Sequence, residues 1–214
     1  PTSNANRLLP ASVFTTGVTI TNIDFVVVPA KFNLVTVRSD EAYILMDGLT
    51  GYTEGTALLM TETPILDGKH YFEIDNRDEF TTIGIIDASG EVQTNYSTIY
   101  PGSAINSWGF SSGFKIHEGV NTAYGSSWGT SKIGVSYDTT TGEFCLYIDG
   151  VNQGVGFVIP KTATLHIAIG SNSQNQYTFF SLNFGQRPLA YPQTGFNRGY
   201  GVVYEKGKEP VTSK

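Results

Sequence analysis

The stretch Lys132-Ile-Gly-Val-Ser-Tyr-Asp138, followed by Gly142-Glu-Phe-Cys-Leu-Tyr-Ile-Asp-Gly150, decides the fold class. Ile133, Val135 and Tyr137 alternate with small or polar residues, and so do Phe144, Leu146 and Ile148. A period of two puts each apolar set on one face of a strand. Asp138-Thr-Thr-Thr-Gly142 is the turn between the strands, and Asp149-Gly150 is a further hairpin signal. The same rule repeats on both sides of this hairpin. Phe72 and Ile74 alternate with Tyr71, Glu73 and Asp75, Leu165 with Ile167 and Ile169 form another set, and Phe180, Leu182 and Phe184 a third. Thr82 to Ile86 is a compact strand, while Ile23 to Val28, Phe32 to Arg38, Tyr43 to Met46 and Ala57 to Met60 are further candidates. About a dozen short strands joined by frequent turns predict an all-β fold, an antiparallel sandwich.

Composition agrees. The 214 residues suffice for one sizeable core, and 24 Gly with 12 Tyr and 13 Phe against 2 Met argue for tight turns and aromatic strands, not a helical bundle. The net charge of −6, with no basic cluster, speaks against a nucleic-acid partner. No apolar run approaches the ~18–20 residues of a membrane helix, so no membrane insertion is expected. The single cysteine, Cys145, precludes an intrachain disulfide and a cysteine-based zinc site. The first residue is Pro1 and no signal-peptide layout is visible, which reads as a processed or truncated chain. The expected organisation is an arm or linker over 1–25, a sandwich over 26–191 and a tail over 192–214.

The order of the pieces resembles the SPRY domain family. Gly68-Lys-His-Tyr-Phe-Glu73 is similar to its opening strand and Ile83-Gly-Ile-Ile86 to the next. Trp108-Gly-Phe110 with Gly113-Phe-Lys-Ile-His117 is similar to its central segment, the 132–150 hairpin to its best-marked element, and Leu182-Asn-Phe-Gly-Gln186 with Pro188 to its closing strand. The resemblance implies a bent, concanavalin-like jelly-roll sandwich that binds protein segments through loops at one end and has no catalytic centre or cofactor. The ending Asn183-Phe-Gly-Gln-Arg-Pro-Leu-Ala-Tyr191 with Thr194-Gly-Phe196 is, more narrowly, similar to SPRY-type domains of tailed-bacteriophage structural and tail proteins.

Catalytic chemistry finds little footing. Glu73-Ile-Asp75 is similar to the strand motif of laminarinase-like glycoside hydrolases, but Arg77 and Asp78 stand where a second Glu belongs. His70, His117 and His166 lack metal-ligand spacing, and no GxSxG elbow is present. Asp87, Asn95, Asp138 and Asp149 read as turn formers more simply than as calcium ligands, so no metal is expected. Aromatic residues among Gly, Ser and Asn are the better signal, because such loops resemble binding loops. The candidate ligand-binding residues are Tyr52, Tyr96, Tyr100, Tyr124, Trp128, Asn172, Gln174, Gln176 and Tyr177, in loops around 48–55, 87–106, 118–130 and 171–177. Trp108 is assigned to the core.

The expectation is a non-catalytic binding or structural module of a bacteriophage virion, on tail or capsid surface, made in the host cytoplasm. Its partners would be neighbouring virion proteins or host cell-surface polysaccharide, with room for a homo-oligomer. The alternatives are a cellular SPRY module that binds a peptide and a divergent glycoside hydrolase using Glu73.

Overall fold

The computed structural model describes residues 25–29, 32–33, 42–44, 48–76, 79–89, 100–173, 177–185, 187–198 and 201–205. Among these there is no helix. The strands are, in order, β1 (Phe25–Pro29), β2 (Phe32–Asn33), β3 (Ala42–Ile44), β4 (Thr50–Glu54), β5 (Ala57–Thr61), β6 (Lys69–Asn76), β7 (Thr81–Asp87) and β8 (Ser107–Ser111). They continue with β9 (Phe114–His117), β10 (Val120–Ala123), β11 (Ile133–Asp138), β12 (Glu143–Ile148), β13 (Val151–Val158) and β14 (Leu165–Ser171). The last three are β15 (Tyr177–Asn183), β16 (Asn197–Arg198) and β17 (Gly201–Glu205).

β1 and β17 pair antiparallel and belong to a compact unit of their own. The other unit, Ala30–Tyr200, is the sandwich. Its seven-stranded sheet has the order β10-β9-β8-β7-β14-β5-β2. Its eight-stranded sheet has the order β13-β12-β11-β6-β15-β4-β3, with β16 lying parallel to β6.

The alternation read from sequence sets the core. Phe72, Ile74, Ile133, Val135, Phe144, Leu146 and Leu182 of the large sheet meet Leu59, Ile83, Ile85, Phe110, Ile167 and Ile169 of the small one, all essentially without exposed surface. Burying a side chain of this size contributes about 1.5–3 kcal/mol, so the apolar face of each strand fixes its register. On the outer side of the small sheet, Gly84, Gly109 and Gly170 let Pro101 lie against the strands. A Cβ on Gly109 would run into the Pro101 carbonyl.

Three expectations change. Thr50–Glu54 and Val120–Ala123, placed within loops from their Gly, Asn and Thr content, are strands β4 and β10. The two tryptophans both pack with the core, Trp128 inside it and Trp108 at its edge. Trp128 is 1% exposed and plugs the core, because the Gly- and Ser-rich segment around it can turn the indole inward. Trp108 is only half-buried and stacks parallel on His117, 5.2 Å between ring centroids.

The buried histidine of β14 gives the fold a pH dependence. His166 donates its Nδ1–H to the Thr61 carbonyl at 2.7 Å, and burial holds its pKa below the ordinary 6.5. The unfolded chain therefore gains a proton that the folded chain resists, so stability held above about pH 6.5 is lost as the pH falls below it. Two carboxyls act lower. The Lys69 hydrogen bond holds Asp138 below its ordinary 3.8. Asp87 is also lowered: burial pushes it up, but bonds from Thr164, Ser89 and Thr162 outweigh that effect. Their contribution is present above about pH 4 and disappears below it. The thermal midpoint should hold from pH 8 to 7, decline between 6.5 and 5, and drop again below 4. Calorimetry of His166→Asn, which keeps an N–H for Thr61, should show the middle decline flattened.

Candidate functional site

The outer face of the eight-stranded sheet has two halves. Over β6, β11 and β12 it is covered by the segment 187–198. Leu189 and Phe196 pack on Tyr71, Cys145 and Tyr147, and Gly134 leaves space for the Tyr71 ring. Glu73, 1% exposed, fastens this strap. Its two carboxylate oxygens accept the backbone N–H groups of Ala190 at 2.8 Å and Tyr191 at 2.6 Å. Burial, then the charge of Glu73, holds the Tyr71 phenol above its ordinary pKa. Asn183 shapes the turn into the strap, accepting from the N–H groups of Gly185 and Arg187 and donating to the Pro188 carbonyl. The motif from Asn183 to Tyr191 thus has an internal job. Glu73 is no free carboxylate for glycoside chemistry, since both oxygens are engaged beneath the strap.

The other half, over β15, β4 and β3, carries exposed aromatics. Thr178, Phe180 and Leu182 face the core, so Tyr177 and Phe179 must face out. Tyr43, Tyr52 and Phe179 are successive cross-strand partners. Tyr43 stacks on Tyr52 at 4.7 Å, and Tyr52 lies 5.5 Å from Phe179 and 6.2 Å from Tyr177. Tyr43, Phe179 and Tyr177 remain 45%, 50% and 56% exposed. Glu54 stands opposite Tyr177 in the register. The hydrogen bond to Glu54, and then its charge, raise the Tyr177 phenol above its ordinary pKa. Between the two halves run Thr50 bonded to Ser181, and Asp75, which holds both Lys132 and Arg187.

The nine sequence candidates disperse. Tyr52 and Tyr177 come together on this face, but as strand residues. Asn172 lies at the same end of the sandwich, donating its backbone N–H to Phe80 and its amide to Ser111. Tyr100 lies at the opposite end, where its N–H donates to Ser103 Oγ. Asp87 N–H to Asn106 and Gly119 N–H to Gly102 put the described parts of the 87–106 loop and the 118–120 turn at that end too. Seven residues of β7 separate the ends by about 20 Å, so the four loops do not form one site. Tyr124 is a structural tie. Its hydroxyl donates to the Gly154 carbonyl at 2.6 Å, its ring stacks on Phe110, and burial pushes its phenol up to about 12. Trp128 is in the core, while Tyr96, Gln174 and Gln176 lie outside the described residues. Tyr43 and Phe179 were missed. For Phe179 the signal was present in the alternation with Phe180 and Leu182, which leaves it with Tyr177 on the solvent side.

Asp87, Asp138 and Asp149 serve as turn acceptors for Ser89, Thr140 and Lys132 N–H groups, and no cluster of three metal-ligating side chains occurs among the described residues.

This geometry defines an all-β sandwich with one strapped and one open outer half-face. The chain belongs to the SPRY domain family, whose model matches residues 69–187, more than half of its length. No curated protein matches. Among solved structures the chain is similar to stonustoxin, with a TM-score of 0.59 and 15% identity over 72% of this chain and 27% of that one. The chain therefore corresponds to about a quarter of the stonustoxin chain. The TRIM65 PSpry domain follows, with a TM-score of 0.58 and 15% identity over 72% of this chain and 88% of that one. The SPRY domain of human HERC1 has a TM-score of 0.55 and 13% identity, over 69% and 94%. These likenesses show the fold. The virion placement expected from residues 183–196 finds no support in them.

Replacing Glu73 tests the clamp. Glu73→Gln keeps the volume but presents only one acceptor and an N–H₂ group to two donors. The expected cost is about 2 kcal/mol, with faster hydrogen exchange at the Ala190 and Tyr191 amides. Unchanged stability and exchange would contradict the clamp.

Proposed function

We propose that this chain is a non-catalytic recognition module that holds a protein segment on the aromatic half-face of β3, β4 and β15. Membership of a family of binding modules supports this reading. The observation that carries it is the run of Tyr43, Tyr52, Phe179 and Tyr177, in mutual contact yet with three of the four rings about half exposed. Aromatic rings on a rigid sheet offer large contact area at low entropic cost, as the anchors of protein interfaces do. Among the described residues the strap covers the face over β6, β11 and β12, while the rings over β3, β4 and β15 keep the exposure a partner needs.

A glycan is the second reading, because exposed tyrosine faces also stack on sugar rings. One experiment separates the two. The whole chain is screened against a displayed random-peptide library and a glycan array, together with Phe179→Ala and Tyr52→Ala. The expected result is peptide enrichment, with affinity reduced about tenfold or more by either substitution. Binding confined to glycans, or peptide binding indifferent to both substitutions, would overturn the proposal.

A further inference from the structure

The same face carries a charge signature that goes beyond recognition of a protein segment in general. Glu54 is exposed at the margin of the aromatic run, paired in register with Tyr177. Among the described residues it has no cationic partner. The described cations of this sheet face are already held elsewhere: Lys69 by Asp138, and Lys132 and Arg187 by Asp75. Among the described residues this carboxylate beside π-faces has no counter-charge, and an incoming cation could supply one.

The rings themselves attract cations. The quadrupole of a tyrosine or phenylalanine puts negative potential on its faces, and a Lys or Arg side chain within about 6 Å of the centroid is stabilised. The protein uses this device internally. The Lys115 ammonium lies 5.3 Å from the Phe157 centroid and 5.8 Å from that of Tyr124, while donating to the Gly156 carbonyl at 2.8 Å. On the outer face the π-surfaces and the acceptor are present, and the cation is not supplied by the described chain. The net charge of −6 favours approach of a basic partner.

We infer that the half-face of Tyr43, Tyr52, Phe179 and Tyr177 selects a protein segment bearing a lysine or arginine, whose cation lies over the rings and pairs with Glu54. This rests on the reading of the face as a peptide site and adds the chemistry of the residue it selects. The register places the Tyr177 phenol directly opposite Glu54, which keeps the carboxylate beside the rings. A neutral glycan could donate hydroxyls to the carboxylate but would leave its charge unmatched, whereas a basic side chain meets both the rings and the charge.

The test uses the whole chain and fluorescent heptapeptides of the form Thr-Val-Thr-X-Thr-Val-Thr, with X as Arg, Lys, Gln, norleucine or Glu, read by polarisation. Arg and Lys peptides should bind about tenfold or more tighter than Gln and norleucine peptides, with Glu weakest. Glu54→Gln should remove most of that preference at an unchanged thermal midpoint. Glu79→Gln, an exposed acid in the β6–β7 connection, should leave it intact. The preference should also shrink as salt rises. Equal binding of all X peptides, still lost in Phe179→Ala, would overturn this inference and leave the peptide-site reading standing. Binding of a neutral oligosaccharide such as cellohexaose, with none of the peptides bound at millimolar concentration, would overturn both. A charge preference that survives Glu54→Gln would also overturn the inference.

Discussion

The carboxylate of Glu73 governs what the large sheet can present. A buried charge is tolerated only when its lone pairs are met, and here two backbone N–H groups of the strap meet them. That requirement draws residues 187–198 across β6, β11 and β12 and seals the Tyr71–Cys145–Tyr147 cluster under Leu189 and Phe196. Over β15, β4 and β3 the outer face keeps Tyr43, Phe179 and Tyr177 about half exposed. Two charge-assisted hydrogen bonds thus hold the strap over one part of the sheet face and not over the aromatic part.

Parts of the other surfaces are engaged by internal contacts. The edge strand β13 would offer a row of unpaired carbonyls, yet Tyr124 and Lys115 occupy those of Gly154 and Gly156. On the small sheet, Pro101 lies over the glycines of β7, β8 and β14. Polar turn residues such as Asp87 and Asn172 are engaged by backbone and hydroxyl groups. The open aromatic half-face is therefore distinct in chemistry from the rest of the sandwich.

The fold was legible wherever alternation was clean. Residues 132–150 show their core face in sequence because Ile133, Val135, Phe144 and Leu146 must share one side of a strand, and each is fully buried. The site was legible only in part. Composition marked Tyr52 and Tyr177 as aromatic residues in polar surroundings; both face outward, Tyr177 well exposed and Tyr52 partly covered by its neighbours, but on strands and not in loops. Composition also marked Tyr124 and Trp128, for which the polar surroundings serve a different end. Glycines and serines there let the chain turn so that one ring reaches the edge strand and the other the core. The outward face of Phe179 was readable from its alternation with Phe180 and Leu182, but its meeting with Tyr52, and that of Tyr43, follows from cross-strand register, a long-range property that no local window contains. Glu73 looked like possible catalytic chemistry because its partners lie more than a hundred residues away along the chain.

The measurement that bears most directly on this account is an amide chemical-shift map of the ¹⁵N-labelled chain, titrated with the tightest-binding peptide from a random library. The shifts should concentrate at 42–44, 50–54 and 177–181, with the strap amides 189–191 unmoved. Shifts concentrated instead at 100–107 and 117–120, the opposite end of the sandwich, would contradict it.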